Sequence, residues 1–335
     1  MVSTRARGAR KRPREAGPSV PLADARRWVG EAGRVLAVSG SGISAASGLS
    51  TFSGGGRPGA GLYARAQRAL GSGAGDAAGG YGVFKHATFA RRPAEASKVY
   101  EEIRREVVRK GRPTATHRAL AALAAAGKLR AHVTLNVDGL HRQAHAAEAS
   151  EATLDAALRD PRGGGLLPSG EEAVEMHGCI LEAVCTACGD VAPVGAGLAR
   201  EFSAGRQPGV RCAACSAQGT VRHGIMLYGT PDAEARLVLR GADPLAQLVS
   251  GASEADLILW LGISFAQSAS VDYFCRAHGA ASAAPPRHVI VGPQADDCLH
   301  NLLSAGADVL AGNVYALACT SDDLLAPFAP PQTPP

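Results

Sequence analysis

Apolar positions recur along this chain in two rhythms. Leu22, Ala25, Trp28 and Val29 fall three and four apart, which predicts a helix over Leu22 to Ala32. Arg34 to Ser39 follows as a continuous Val-Leu-Ala-Val run, the pattern of a strand buried on both faces. Ala131 to Leu135, Leu257 to Leu261 and His288 to Val291 have the same character. Helical stretches lie between them: Ser44 to Ser47 is placed to open one, His117 to Ala126 is an Ala/Leu helix, and Glu95 to Lys110 reads as a charged, exposed helix. Continuous apolar strands alternating with helices predict an α/β fold with a doubly wound parallel sheet. Ligands bind such sheets at the carboxyl ends of the strands, where Gly40, Gly262 and Gly292 fall.

Between these segments the texture changes. Residues 1–20 are basic with Pro and Gly and read as a disordered arm, and the Pro-rich 326–335 reads as a disordered tail. Gly54 to Gly80 reads as a mobile loop, and 146–172, with Gly163-Gly164-Gly165, as a surface insertion. At 335 residues the chain can bury a core and form two lobes. No apolar run approaches the roughly 18 residues of a membrane helix, so no membrane partner is expected. The net charge of +5 is local. Arg5, Arg7, Arg10, Lys11, Arg12 and Arg14 supply six positive charges before the first acid, Glu15, which leaves the remainder at −1. A nearly neutral body argues against direct sequence-specific nucleic-acid binding. Lys11-Arg12-Pro13-Arg14 favours a nuclear address; a transit segment, with an organellar or cytoplasmic protein, is the alternative.

Four of the eight cysteines form two C-x-x-C pairs, Cys185/Cys188 and Cys212/Cys215. Four thiolates at that spacing close a tetrahedral zinc site, which leaves no open position and makes the metal structural; a redox dithiol is the competing reading. Gly40-Ser41-Gly42 follows the first strand, but the third glycine of a dinucleotide fingerprint would fall at Ala45, so taken alone it is a tight turn as readily as a phosphate loop. Asn136 and Asp138 follow the second strand, and His177 precedes Gly178.

In order, these segments resemble the sirtuins. Ser39 to Leu49, with Gly40, Ser41, Gly42 and Ile43, resembles their first NAD motif. Asn136-Val137-Asp138-Gly139-Leu140-His141 resembles the second, Met176-His177-Gly178 the catalytic His-Gly, the cysteine pairs the zinc ribbon, and Gly262-Ile263-Ser264 the late Gly-Thr-Ser motif. The resemblance spans about residues 22–320. It implies a Rossmann-like NAD-binding lobe from 21–56, 111–145 and 221–325, and a smaller lobe with a helical insertion at 57–110 and a zinc ribbon at 173–220.

The activity implied is NAD-dependent removal of acyl groups from lysines on proteins, histones among them. The acyl oxygen attacks the ribose carbon as nicotinamide leaves, and O-acyl-ADP-ribose results. His177 is the implied base, with Asn136 and Asp138 as catalytic partners that also orient the ribose and carboxamide. Gly40, Ser41, Gly42, Ile43, Phe52, Gly262, Ser264 and Gly292 are implied NAD contacts. Met226, Tyr228 and Gly229 are implied to border a peptide added as a strand. One structural zinc is implied on Cys185, Cys188, Cys212 and Cys215. The chain departs from the family at Ser53 (Arg expected), Leu135 (Gln), Thr230 (Glu), Ile263 (Thr) and Gly292 (Asn). These losses keep open an NAD hydrolase or ADP-ribosyltransferase, or an inactive NAD- or peptide-binding module.

Overall fold

The structure, a computed structural model, describes residues 19–51, 61–62, 64, 66, 79–148, 173–280, 285–309 and 312–330. The basic arm, Phe52, Ser53, Tyr63 and most of both Gly-rich insertions lie outside the described residues.

Six strands form a wholly parallel sheet: β1 (Val35–Ser39), β2 (Leu129–Thr134), β3 (Ala173–Glu175), β7 (Leu257–Leu261), β8 (Arg287–Val291) and β9 (Val314–Leu317), in the order β3-β2-β1-β7-β8-β9. Alternate side chains enter opposite cores, as the pleat requires. Leu36, Val38, Ile258 and Trp260 face one cluster; Val35, Ala37, Leu257 and Leu259 face the other. The register puts the strand ends level. Ser39 pairs with Thr134 and Leu261, Thr134 with Glu175, and Leu261 with Val291. The next residues, Gly40, Leu135, Met176, Gly262 and Gly292, therefore form one row along the carboxyl edge.

The helices are α1 (Leu22–Glu31), α2 (His86–Arg91), α3 (Pro93–Lys110), α4 (Ala115–Ala125), α5 (Leu140–Glu148), α6 (Ala196–Ser203), α7 (Asp232–Val238), α8 (Pro244–Glu254), α9 (Ser268–Gly279), α10 (Ala295–Ser304) and α11 (Ser321–Leu325). A second, antiparallel sheet of β4 (Gly178–Cys185), β5 (Val191–Pro193) and β6 (Val221–Ile225) runs in the order β5-β4-β6. Its Ile180 and Ile225 pack with Val99, Tyr100, Ile103 and Val107 of α3.

Three expectations are corrected. Helix α3 is not exposed. Ala96, Val99, Tyr100, Ile103 and Val107 recur at helical spacing and are buried, and so is Glu101, which meets Arg104 at 2.8 Å and His223 at 3.3 Å. Its many charges hide that stripe. After β1 the chain forms a 3-10 stretch, Ser41–Ser47, and no α-helix opens at Ser44. Helix α5 continues to Glu148, into the span read as insertion.

Buried histidines serve as acceptors. His117 Nδ1 accepts from the Thr114 N–H at 3.2 Å, and His288 Nδ1 accepts from Trp260 Nε1 at 3.2 Å. Burial holds both down at about 3 and pushes His132 well below its usual range. An unfolded chain takes up these protons below about 6.5, whereas the folded chain does not, so folding weakens as pH falls. The melting temperature should accordingly drop steadily between pH 6.5 and 4; a flat profile over that range would contradict the buried neutral imidazoles.

Candidate functional site

The strand order reverses between β1 and β7, and in open α/β sheets such a switch point opens a crevice. There the backbones touch. The Gly42 N–H donates to Gly262 O at 3.0 Å, and the Gly40 N–H to Leu261 O at 2.9 Å. A Cβ on Gly42 would lie 2.6 Å from Gly262 Cα, so no side chain fits at this crossing. Gly262 itself has φ +64, open to glycine at little cost.

Below the crossing lies a buried polar layer. Asn136 Nδ2 donates to Gly40 O at 3.2 Å and Ser44 Oγ at 3.3 Å. Ser44 Oγ donates to Asp138 Oδ2 at 2.6 Å, and the Leu140 N–H to Asp138 Oδ1 at 3.0 Å. Burial raises the Asp138 carboxyl; those two bonds oppose the rise without cancelling it. Asn136 Oδ1 is buried and accepts no hydrogen bond among the described residues, which costs on the order of 1–3 kcal/mol unless a ligand or water donates to it.

His177 sits between β3 and β4. Its carbonyl accepts from the Met226 N–H at 2.9 Å. The following Gly178 turns the chain at φ +70, where a Cβ would meet Gly224 O at 2.2 Å. The imidazole is half-buried and makes no hydrogen bond among the described residues; desolvation alone lowers it to about 4. It is neutral at physiological pH.

These features share one cavity of about 650 Å³, within the roughly 300–1,000 Å³ of small-molecule sites. Gly40, Ser41, Gly42, Asn136 and His177 line it, as do Met226, Tyr228, Gly229, Gly262, Ser264 and Gly292. Two other candidates lie elsewhere. Ile43 is buried in the core, and Asp138 lines a small adjoining cavity with Ser41 and Asn136. The segment Met226–Gly229 is no strand. Tyr228 makes a single parallel bridge to Lys85, and its N–H and C=O are taken by Phe84 and His86 at 2.8 and 2.9 Å. Leu227 is closed into a turn with Thr230.

Sequence reasoning missed Gln267, Tyr273, Asp297 and Asn301, all in the cavity wall. Asp297 and Asn301 are one helical turn apart on α10, a spacing that could have been read. Asn301 Nδ2 donates to Ser264 O at 2.9 Å. Of the family departures, Leu135 and Ile263 line the cavity as apolar wall, and Gly292 leaves open space.

At the far end of β4, each cysteine pair folds into a tight turn: the Gly189 N–H reaches Cys185 O, and the Ser216 N–H reaches Cys212 O. The four sulfurs lie within 4.8 Å of one another, with Cys185–Cys215 and Cys188–Cys212 at 3.8 Å. A zinc–sulfur bond of about 2.3 Å requires tetrahedral edges of about 3.8 Å. The donor set therefore fits one structural zinc ion.

The fold and cavity thus define a Rossmann-like α/β protein with a crevice at its switch point and a four-cysteine metal module beside it. A profile of the Sir2 family matches residues 40–153. An NAD-dependent protein deacetylase of Cutibacterium acnes is 29% identical over 237 residues, 71% of this chain and 75% of that protein. NAD-dependent protein deacylase 2 of Pyrobaculum aerophilum is 36% identical over 155 residues, 45% of each chain. The mitochondrial NAD-dependent protein deacylase sirtuin-5 of Canis lupus familiaris is 30% identical over 196 residues, 57% of this chain and 50% of that one. The chain thus spans three-quarters of the bacterial relative and about half of the other two. A crystal structure of a Sir2 homologue–NAD complex shares the fold, with TM-score 0.61, 18% identity, and coverage of 94% of this chain and 95% of that one. The chain is thus similar to the Sir2, or sirtuin, family over residues 40–153, and it shares the fold of Sir2 structures.

Metal analysis should return one zinc per chain. Replacing Cys188 by Ser should lower that content and the melting temperature together, since a structural zinc supplies folding energy. A folded, stable, metal-free protein would exclude the site.

Proposed function

We propose that this chain is an NAD-dependent protein lysine deacylase. The observation that carries the reading is His177. A neutral imidazole, without a hydrogen bond among the described residues, opens into the same cavity as the Gly40–Gly42 crossing and the Asn136 carbonyl, which likewise has no partner among them. Relatives named as NAD-dependent deacetylases and deacylases support it.

When bound, NAD supplies an ADP-ribosyl acceptor for the acyl group and loses nicotinamide. The chain's part is to bind, orient and move a proton. Gly40, Ser41, Gly42, Gly262, Ser264 and Gly292 hold the dinucleotide where the backbone comes closest. Asn136 Oδ1 accepts from a ribose hydroxyl or the carboxamide. Asp138 holds Ser44, and through it Asn136 and the glycine turn. His177 accepts the hydroxyl proton. Met226, Tyr228 and Gly229 border the acyl-lysine; with Tyr228 and Leu227 already bonded within the chain, peptide pairing falls to Gly229. Phe52, the remaining implied NAD contact, belongs to the same reading. The substrates include histones and the location is the nucleus, a reading supported by Lys11-Arg12-Pro13-Arg14; a reporter carrying residues 1–18 that failed to reach the nucleus would remove that support.

The test supplies acetyl-peptide and NAD and scores free lysine, nicotinamide and O-acetyl-ADP-ribose separately. All three should rise in step. Nicotinamide alone would mean NAD hydrolysis and defeat the deacylase reading. Substitution His177→Ala should lower turnover by about 10²–10⁴-fold, the scale of a lost general base, while NAD still binds by calorimetry.

The pH profile gives a second check. Because His177 is held near 4, the base stays deprotonated through the neutral range. The acid limb of kcat/KM, which reports the free enzyme, should fall below pH 6 and toward 4. A limb at 6.5 or above would assign it to a different group.

A further inference from the structure

Among the described residues His177 has no hydrogen bond to fix its ring, yet proton transfer depends on the ring's aim. The neighbour that faces it is aromatic. Tyr273, on α9, lies with its ring centroid 6.2 Å from that of His177 at an interplanar angle of 45°, within the 4.5–7 Å of attractive ring pairs. Resting on the deacylase reading above, we propose that Tyr273 is a positioning residue for His177, setting its ring by this tilted ring contact and keeping water from its flank.

Three separate elements meet here. His177 follows β3, Tyr228 follows β6, and Tyr273 projects from α9; all three line the one cavity. Tyr273 also packs against the core that holds Trp260, Phe265 and Phe274. Phe274, next in sequence, is 1% exposed and meets Trp260 at 5.2 Å and Phe265 at 5.9 Å. Helix α9 is thereby anchored in the hydrophobic core, and a rigid support suits a group whose task is aim. Burial, then the neighbouring Tyr228 phenol and Asp272, push the Tyr273 phenol up, so it is uncharged at neutral pH. The other titratable groups in the cavity wall are Tyr228, Asp297 and Cys298. Among the described residues none forms an ion pair with His177, whose shift comes from burial alone. Packing, and not charge, sets the state of this imidazole.

The experiment follows the His177 C2–H signal by NMR titration in the full chain, with His177→Ala to identify it. In the wild type the signal should titrate near 4. Substitution Tyr273→Phe keeps the ring and should leave that midpoint and kcat unchanged. Substitution Tyr273→Ala should admit water and move the midpoint toward the ordinary value of about 6.5. It should also lower kcat by up to about 100-fold, the effect of a reacting group misplaced by an ångström, with the NAD KM little altered. Tyr273→Leu retains apolar volume for folding but loses the ring, so it should lower kcat like Tyr273→Ala with a smaller move of the midpoint. An unmoved midpoint in both Tyr273→Ala and Tyr273→Leu would overturn the proposal. So would an equal loss of kcat in Tyr273→Phe, which would make the phenol a substrate contact. The titration needs no turnover. A wild type that failed to deacylate would defeat the proposed function, and the midpoints would still decide the role of Tyr273.

Discussion

The backbone crossing of Gly42 and Gly262 is the constraint on which the site depends. With a Cβ at Gly42 only 2.6 Å from Gly262 Cα, neither position admits a side chain without moving a loop. The crossing exists because β1 and β7 are parallel neighbours in exact register, with Ser39 beside Leu261. It closes the floor of the crevice with main chain alone. It also fixes the Gly40 carbonyl that Asn136 binds at 3.2 Å, and hence the direction of the unpartnered Asn136 oxygen. One steric contact therefore sets the shape of the crevice and the placement of its polar group.

Low polarity does the rest. The same burial that depresses His177 raises Asp138. Both shifts favour the uncharged form, as desolvation requires. Among the described residues the cavity wall offers one acidic side chain, Asp297, and no Lys or Arg. Hydrogen bonds and backbone dipoles must then carry most of the recognition at these positions.

Much of this was legible in the sequence, and what was not has physical causes. The four long parallel strands were readable because burial on both faces makes them unbroken apolar runs. The cysteine module was readable because zinc geometry dictates ligand spacing. Helix α3 was misjudged because Glu, Arg and Lys outnumber its apolar stripe; the stripe at Ala96, Val99, Tyr100, Ile103 and Val107 was present but went uncounted. The short β3 carries no signal, since three residues cannot show a period. Tyr273 was invisible for another reason. Its partner is nearly a hundred residues distant, and only the packing of α9 brings the two rings together.

The position of His177 shows why the two sheets must be treated as one mechanical unit. The residue lies on the two-residue link between them: Glu175 ends a pairing with Thr134 in the large sheet, and Gly178 begins one with Ile225 in the small. An ion network straddles that link. Arg142 of α5 pairs with Glu175 at the end of β3, and with Glu182 of β4 at 2.7 Å; Arg240 reaches Glu182 at 2.5 Å. Burial opposes the charge on Glu175, but His141 and Arg142 outweigh it and hold the carboxyl down at about 2. Such a network resists relative sliding of the sheets, because parting Arg142 from Glu175 would strand a buried charge. The metal module closes the other end of β4 at Cys185. A strand tied at both ends cannot rotate freely about its first residues, and His177 is carried by that stiffness. The cysteine module and the His177 imidazole are thus joined by one strand, eight residues long, so loss of the metal should loosen the imidazole even though the two never touch.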